Sequence, residues 1–414
     1  MSKRLLSLCI LLCGLFVVVG CGPRTTVIWI SIDGFRHDYP EKAKTPFLHE
    51  LMGRAYYSRA MTPITPSITF PSHVSEATGV TVDRHGIANN DFYDTETRQS
   101  YSFPAVPALL QSEPIWITTT RQHVRTLVFD WPLSQNQTAR IRSDYFLAKF
   151  EGAPTDEQRL NRLIETWQLD KNKKPLGLIM GYIKKTDTTG HKFGPESAEL
   201  RTAIQETDAA LAHFVSAAQR VFAQKSRKGD RLYLMLTTDH GMTEVSALVN
   251  LEKLFAAPLP KSVHVETGGP VAMIYLHDVP PAQRTILQQS LLNDLRKYSF
   301  LTAYTRDTLP KAWGFYNPAR TGDVVVMLKN RYTFSTKIRT ATAPAKGTGP
   351  LGMHGYPPAE NPDMRGFFLL ARLDQVERAR DLGPVDSLRI HPTVAKLLHV
   401  KPAPNAKARP LPVP

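Results

Sequence analysis

An apolar run of strand character, Leu232-Tyr233-Leu234-Met235-Leu236, passes through two threonines and delivers Asp239-His240-Gly241. An unbroken run of this kind, as opposed to an alternating one, is the pattern of a strand buried on both faces of a parallel sheet. Two further runs repeat it: Val27–Ile32, closed by Asp33-Gly34, and Leu176–Ile183, which leads toward Asp187. With helices between them, such strands predict an α/β fold, a central and mostly parallel sheet with helices on both faces. In open sheets of this class the ligand site lies beyond the carboxyl ends of the strands. Asp33, Asp187 and Asp239 are therefore expected on one sheet edge. The alternative for each is a strand-end aspartate that caps the helix after it.

Thr155–Leu169 is the clearest helix. Thr155 and Gln158 make a capping box, and Leu160, Leu163, Ile164 and Trp167 share one face. Pro195–Ala223 reads as a longer helix with Leu200, Ile204, Leu211, Phe214, Val215 and Phe222 inward. Ile115–Thr119, Thr126–Phe129, Val271–Leu276, Asp323–Leu328 and Gly366–Ala371 read as further strands. Thr62–Ser72 is a proline-punctuated loop, and Pro71 suits the first turn of a helix that runs to about Gly79. Residues 260–340 hold fewer clear helices and are expected to form a smaller α+β elaboration within one catalytic domain, 27–405. A Gly/Pro-rich loop, Lys346–Pro358, carries His354, and residues 406–414 are a proline-rich tail.

At the N-terminus Lys3 and Arg4 precede the apolar run Leu5–Val19, too short and wrongly flanked for a spanning helix. Residues 1–20 read as a signal peptide. Val18-Val19-Gly20-Cys21 resembles the lipobox of bacterial lipoproteins, which implies cleavage before Cys21 and its diacylation, with residues 22–26 as a short spacer. The expected address is extracytoplasmic and lipid-anchored, the outer membrane facing the periplasm, since Gly22 and no aspartate follows the cysteine. An ordinary signal peptide with a coincidental cysteine is the other reading. Cys9 and Cys13 leave with the signal, so no disulfide is expected. Loss of Lys3 and Arg4 would leave +12 of the chain's +14. Such a balance suits an anionic lipid surface or an anionic substrate. Without a basic–aromatic stripe, no nucleic-acid polymer is expected as partner.

His191 follows Asp187 by four residues and His240 follows Asp239 directly. Aspartate oxygens with imidazole nitrogens suit zinc, with manganese a weaker candidate. A set of this size can hold two ions about 4 Å apart, the spacing that clamps a phosphoryl group during in-line displacement. A nucleophilic hydroxyl is then expected at a helix N-terminus, where orphan N–H groups favour an oxyanion and a phosphate. Thr69 stands ahead of such a helix; Ser67 and Ser72 are local rivals.

Several motifs together resemble the nucleotide pyrophosphatase/phosphodiesterase family of the alkaline phosphatase superfamily. They are Ser31-Ile32-Asp33-Gly34-Phe35-Arg36, Thr69-Phe70-Pro71-Ser72-His73, His85-Gly86-Ile87 with Asn90 and Tyr93-Asp94, and Asp187-x-x-Gly190-His191-x-x-Gly194-Pro195. Thr238-Asp239-His240-Gly241-Met242 and His354-Gly355-Tyr356 complete the set. The resemblance implies an alkaline-phosphatase-like fold and two Zn²⁺ ions. Asp187, His191 and His354 would hold one, and Asp33, Asp239, His240 and the Thr69 oxygen the other. It also implies a covalent phospho-threonine on Thr69, Asn90 donating to a phosphoryl oxygen, and Phe70 and Phe150 beside the leaving group. The substrate would be a small anionic phosphoester, nucleotide-like or, in a second reading, a lipid-derived diester or a phosphomonoester. A metal-stabilised binding lipoprotein is the non-enzymatic alternative. No Cys/Ser-x-Pro-x-Arg signature of a sulfatase is present.

The chain departs from the family at two places. Leu133 replaces a glycine after Trp131-Pro132, and Lys184, beside Lys185, stands where relatives usually carry glutamate. Strand alternation puts Lys185 on the face of Asp187, toward the cleft, and Lys184 on the opposite face, an order that the turn into Asp187 could reverse. Both stems are long enough to reach a bound phosphate, so both are candidate substrate contacts.

Overall fold

The computed structural model describes residues 22–413. The segment expected to be a signal peptide, and Cys21, where lipidation is expected, lie outside the described residues.

The three apolar runs form the centre of the main sheet. Thr25–Ile32 lies between Leu176–Ile183 and Arg231–Thr237, parallel to both. Arg125–Val128 and Tyr145–Phe146 extend the sheet in parallel on one side. On the other, Gly366–Arg372 enters antiparallel and is followed by Tyr56–Thr62. Buried alternation builds a core on each face. Ile28, Ile30 and Ile32 meet Leu160, Leu163 and Trp167 of helix Asp156–Leu169 and the inner side of helix Ala198–Lys225. Val27 and Trp29 turn the other way, onto Trp116, Trp131, Ile390 and Val394. The expected α/β class with helices on both faces is what the chain adopts. Among the described residues every strand and both cores begin at or after Thr25, so a chain starting at Gly22 contains these elements entire.

Ile115–Thr119 is a correction: residues Ile115–Arg121 form a helix. The β-branched run reads locally as a strand. Pro114 opens it, however, and Thr119 and Thr120 return their hydroxyls to the carbonyls of Ile115 and Trp116, both at 2.8 Å. Ile115 and Trp116 then enter the core, and tertiary burial outweighs a propensity difference of a few tenths of a kcal/mol per residue.

Within residues 260–340, His264–Gly268, Val271–Tyr275, Val324–Leu328 and Leu301–Thr305 make an antiparallel sheet in that order, packed on helix Pro281–Leu295. Its other face, with Val271, Met273 and Val325, packs on Ile68, Val74 and Phe92 and buttresses the helix that begins at Thr69.

That helix, Thr69–Thr78, ends on Gly79 at φ +69°, and His391 ties its end to the C-terminal segment. The ring Nδ1–H donates to the Ala77 carbonyl at 2.7 Å, and Nε2 accepts from the Ala403 N–H at 3.0 Å. Only a neutral imidazole can make both bonds, and burial holds its pKa down to about 4. The unfolded chain takes up a proton near pH 6.5 while the folded one does not, so stability is lost as pH falls from about 6.5 toward 4. At about 1.4 kcal/mol per pH unit this amounts to about 3 kcal/mol. His391→Gln is expected to flatten that limb by one proton in urea unfolding at pH 7 and pH 4.5. An unchanged slope would assign the acid limb to other groups.

Candidate active site

Two glycines bring the strand ends together. Gly34 takes φ +63°, and a Cβ there would lie 2.9 Å from Cα of Asp187; the Thr186 hydroxyl also donates to the Asp33 carbonyl at 2.6 Å. A Cβ on Gly241 would stand 1.9 Å from the Asp363 carbonyl oxygen, so only glycine lets the Asp239-His240 corner close. The buried Arg36 guanidinium locks the corner, donating to the Met242 carbonyl at 2.9 Å and to Glu196 at 2.6 Å. Asp187 is not at a strand end. It lies in the first turn of helix Lys185–Phe193, whose leading N–H groups, Lys184 and Lys185, are both capped by the Asp156 carboxylate at 3.0 Å.

Six side chains gather into two sets, Asp187 with His191 and His354, and Asp33 with Asp239 and His240. Within each set the available ligand atoms lie within 4.8 Å of one another. The three imidazoles share one arrangement. Each directs Nδ1–H to a backbone carbonyl: His191 to Gly352 at 2.8 Å, His240 to Gly241 at 2.9 Å and His354 to Ser67 at 3.0 Å. This fixes the tautomer and turns the Nε2 lone pair inward, as in metal-ligating histidines. Those nitrogens face carboxylate oxygens, His240 at 3.0 Å from Asp239 and 3.3 Å from Asp33, and His191 at 3.2 Å from Asp187. One buried oxygen each of Asp33, Asp187 and Asp239 has no hydrogen-bond donor. Lone pairs converging on lone pairs are the complement of a cation, and the donor set fits two divalent ions of the transition-metal type.

The local electrostatics carry the same strain. Burial, and then the charges of Asp187 and Asp239, push the Asp33 carboxyl well above its usual range. Burial also works upward on Asp239, yet His240 and His73 hold it well below. Burial and the neighbouring His240, whose ring stacks on it at 3.5 Å, push His354 far down.

Thr69 is the first residue of its helix and lines the cleft with Oγ1 3.3 Å from His240 Nε2. Its rivals point elsewhere. The Ser67 hydroxyl donates to the Tyr356 carbonyl at 2.7 Å, and Ser72 is buried behind the helix's first turn. Asn90 accepts the Phe70 N–H on Oδ1 at 2.9 Å, which leaves its amide N–H groups as donors for the cleft.

The cleft has a volume of ≈ 340 Å³. Its outer wall is aromatic: Phe70 meets Phe103 edge-on at 5.5 Å, and Phe150 stands across with its ring on Tyr182 at 6.2 Å. Lys184 lines this wall, its ammonium 2.9 Å from the Gly152 carbonyl and 5.7 Å from the Phe150 ring centre. Lys185 turns away into an ion pair with Glu206. The orientation expected from alternation is thus reversed, and Lys185 does not line the cleft. The strand stops at Ile183 and the Asp156 cap starts a helix there, so alternation no longer applies.

Sequence reasoning did not single out four contributors. The Tyr182 hydroxyl donates to Asp33, and its place beside Ser31 at a strand end was the available signal. His73 bonds Ser31 at 2.8 Å and the Thr69 carbonyl at 2.8 Å and lies 3.3 Å from Asp239. Glu76, one helical turn on, accepts from Thr237 at 2.7 Å, and burial pushes its carboxyl up to about 8. Phe103 sits in a loop that carries no local signal.

Comparison with known proteins gives the family and supports the fold. The sequence model of the type I phosphodiesterase / nucleotide pyrophosphatase family matches residues 27–357. An uncharacterised pyrophosphatase/phosphodiesterase of Schizosaccharomyces pombe is 28% identical over 399 residues, 92% of this chain and 78% of its own. Human ectonucleotide pyrophosphatase/phosphodiesterase family member 7 is 26% identical over 93% of this chain and 82% of its own length. Venom phosphodiesterase 2 of Crotalus adamanteus is 27% identical, and the chain spans 46% of that longer protein. Among solved structures, murine ectonucleotide pyrophosphatase/phosphodiesterase 5 superposes with a TM-score of 0.77 at 24% identity, covering 92% of this chain and 96% of the other. An inactive threonine-to-alanine variant of that murine protein has been solved in complex with AMP, with a TM-score of 0.76 to this chain. The chain belongs to the type I phosphodiesterase / nucleotide pyrophosphatase family.

Proposed function

We propose that the chain is a two-zinc phosphodiesterase/nucleotide pyrophosphatase that acts through a phospho-threonine on Thr69. The observation that carries the reading is the shared histidine arrangement, three Nε2 lone pairs turned on buried aspartate oxygens beside the Thr69 hydroxyl. Asp187, His191 and His354 would hold one ion, and Asp33, Asp239, His240 and Thr69 Oγ1 the other. When bound, the ions lower the pKa of the Thr69 hydroxyl and neutralise charge on the phosphoryl oxygens.

Thr69 Oγ1 attacks phosphorus as its proton passes to solvent, and the bond to the leaving oxygen breaks on the far side. The helix N-terminus and the Asn90 amide stabilise the charge on the phosphoryl oxygens. Water then attacks the phosphorus of this adduct, which for a diester still carries one alcohol; the P–Oγ1 bond breaks, Thr69 recovers a proton from solvent and a phosphate monoester is released. Tyr182 orients the carboxylate of Asp33 throughout, and His73 holds the Thr69 carbonyl beside Asp239. The inactivity of the murine threonine variant supports a threonine nucleophile in this family. Acid quench during turnover of a diester, followed by peptide mass analysis, is expected to recover on Thr69 the phosphoryl group with its retained alcohol; that adduct on another residue, or none, overturns the assignment.

The leaving group would lie between Phe70, Phe103 and Phe150. The AMP complex of the murine relative favours a nucleotide there. The apolar wall with exposed Phe103 and Phe150 favours the second reading, a lipid-derived diester. Turnover of a dinucleotide beside a lysophosphodiester separates the two. Lys184 adds a positive charge at the wall and favours substrates with an extra anionic group. Lys184→Glu is expected to lower the kcat/KM ratio of doubly charged to singly charged substrates by about tenfold, the effect of roughly 1.4 kcal/mol at intermediate dielectric. Lys185→Glu should leave the ratio within about twofold. Equal effects of the two would remove Lys184 from the substrate contacts.

A further inference from the structure

The cleft occupies one end of the parallel strands, and the opposite end is strongly basic. There the described chain begins at Gly22-Pro23-Arg24. The turn into Leu176–Ile183 carries Lys171, Lys173 and Lys174, and the turn into Arg231–Thr237 carries Arg227 and Lys228; all five are exposed. Register fixes them at one pole, since Thr25 pairs with Arg231 and Val27 with Leu178. Contacts join the same turns: the Arg24 guanidinium bonds Asp230 at 2.9 Å, Lys225 Nζ reaches the Asp170 carbonyl at 2.7 Å, and Arg125 reaches the Lys174 carbonyl at 2.8 Å. The acids of these turns are buried in internal pairs, Asp230 with Arg24 and Asp170 with Arg125. The exposed Asp374 beside Leu232 is paired with Arg372, so the five cations of these two turns, none paired with an acid among the described residues, leave the pole with an excess of positive charge.

We propose that this pole docks on an anionic phospholipid bilayer and holds the cleft pointing away from the membrane. The chain ahead of the fold locates the surface. Only Gly22, Pro23 and Arg24 separate Thr25 from residue 21, and the apolar run Leu5–Val19 lies just beyond. Three extended residues reach about 11 Å, comparable with a Debye length of about 8 Å at physiological ionic strength. Anything apolar at that end that enters a bilayer therefore brings the five cations within range of its charge. No helix among the described residues is long and apolar enough to cross a membrane. The eight residues of Thr25–Ile32 then carry the cleft roughly 25 Å from the headgroups, toward water-soluble substrates.

The test is co-sedimentation of the chain from Gly22 on with vesicles of phosphatidylcholine, alone or mixed with phosphatidylglycerol, at low and physiological salt. Binding is expected only to the mixed vesicles and to weaken with salt. Each removed cation should cost up to about fivefold in partitioning. Lys171→Glu/Lys173→Glu/Arg227→Glu/Lys228→Glu should therefore lower it by well over tenfold, and the four-glutamine variant by a smaller factor in the same direction. Should the glutamate variant not fold, the glutamine variant decides. Arg140→Glu/Arg142→Glu/Lys149→Glu, which alters exposed cations in the segment leading to Phe150 at the cleft, should leave binding within about twofold. Equal binding to neutral vesicles overturns the proposal. Loss with the cleft-side variant instead of the pole variant overturns it too, because the cleft would then face the bilayer.

Discussion

Thr69→Ala is expected to lower kcat/KM by at least about 10³-fold, the scale on which loss of a covalent nucleophile acts, with folding and metal content close to those of the parent. Its Oγ1 makes one side-chain contact, at 3.3 Å to His240, and faces the cleft, so truncation opens no cavity in either face of the sheet. Thr69→Ser should fall between the two. It keeps a hydroxyl on the first residue of the helix but loses the β-methyl that restricts χ1, and so populates the attacking rotamer less. Ser67→Ala is the informative control. Its hydroxyl is committed to the Tyr356 carbonyl and accepts the Gly355 N–H at 3.2 Å, so its loss should cost stability, about 1 kcal/mol, with turnover largely kept. Near-normal activity of Thr69→Ala beside an inactive Ser67→Ala would move the nucleophile.

What was legible in the sequence was what local chemistry dictates. Unbroken apolar runs announced the three central strands, and the Thr155–Gln158 capping box announced its helix, whose two reciprocal bonds are present at 3.2 and 2.9 Å. The aspartates after those strands were legible as a site because the sheet's polarity places strand ends together. Three contacts were not, and each depended on distant residues. Lys184 faces the cleft because Asp156, far back in the chain, caps the helix at that point. Ile115–Arg121 is a helix because the sheet's second face needs Ile115 and Trp116 buried. Phe103 joins Phe70 through a loop residue at φ +42°, anchored by its N–H to the Asn90 carbonyl at 2.9 Å. The pairing of Asp187 with His354, 3.6 Å apart, rested on family resemblance alone until the strands were assembled.

Removal of the bound metal is expected to abolish turnover and to lower the melting temperature together. Three carboxylates and three imidazoles, buried or half-buried, gather in two small clusters, and among the described residues no lysine or arginine pairs with those carboxylates. Buried carboxylates without a compensating cation are costly, by several kcal/mol per ion. An ion that binds only the folded chain contributes about 4 kcal/mol at a free concentration 1,000 times its Kd. Two such ions would contribute about 8 kcal/mol. For a chain of this size, one kcal/mol moves the melting temperature by roughly 1–2 °C, extrapolating the trend with chain length. Exhaustive chelation should therefore lower it on the order of 10 °C, and stoichiometric Zn²⁺ should restore both temperature and activity where Mg²⁺ does not, since imidazole ligands suit the former. Asp239→Ala, which deletes a carboxylate held between His240 and His73, should retain about one of the two ions by elemental analysis and show no turnover. Full activity after chelation, with no metal found in the protein, would sink the two-ion reading. A drop in melting temperature without loss of turnover would leave the ions a structural role and send the search for the catalytic charge back to Lys184 and the helix N-terminus at Thr69.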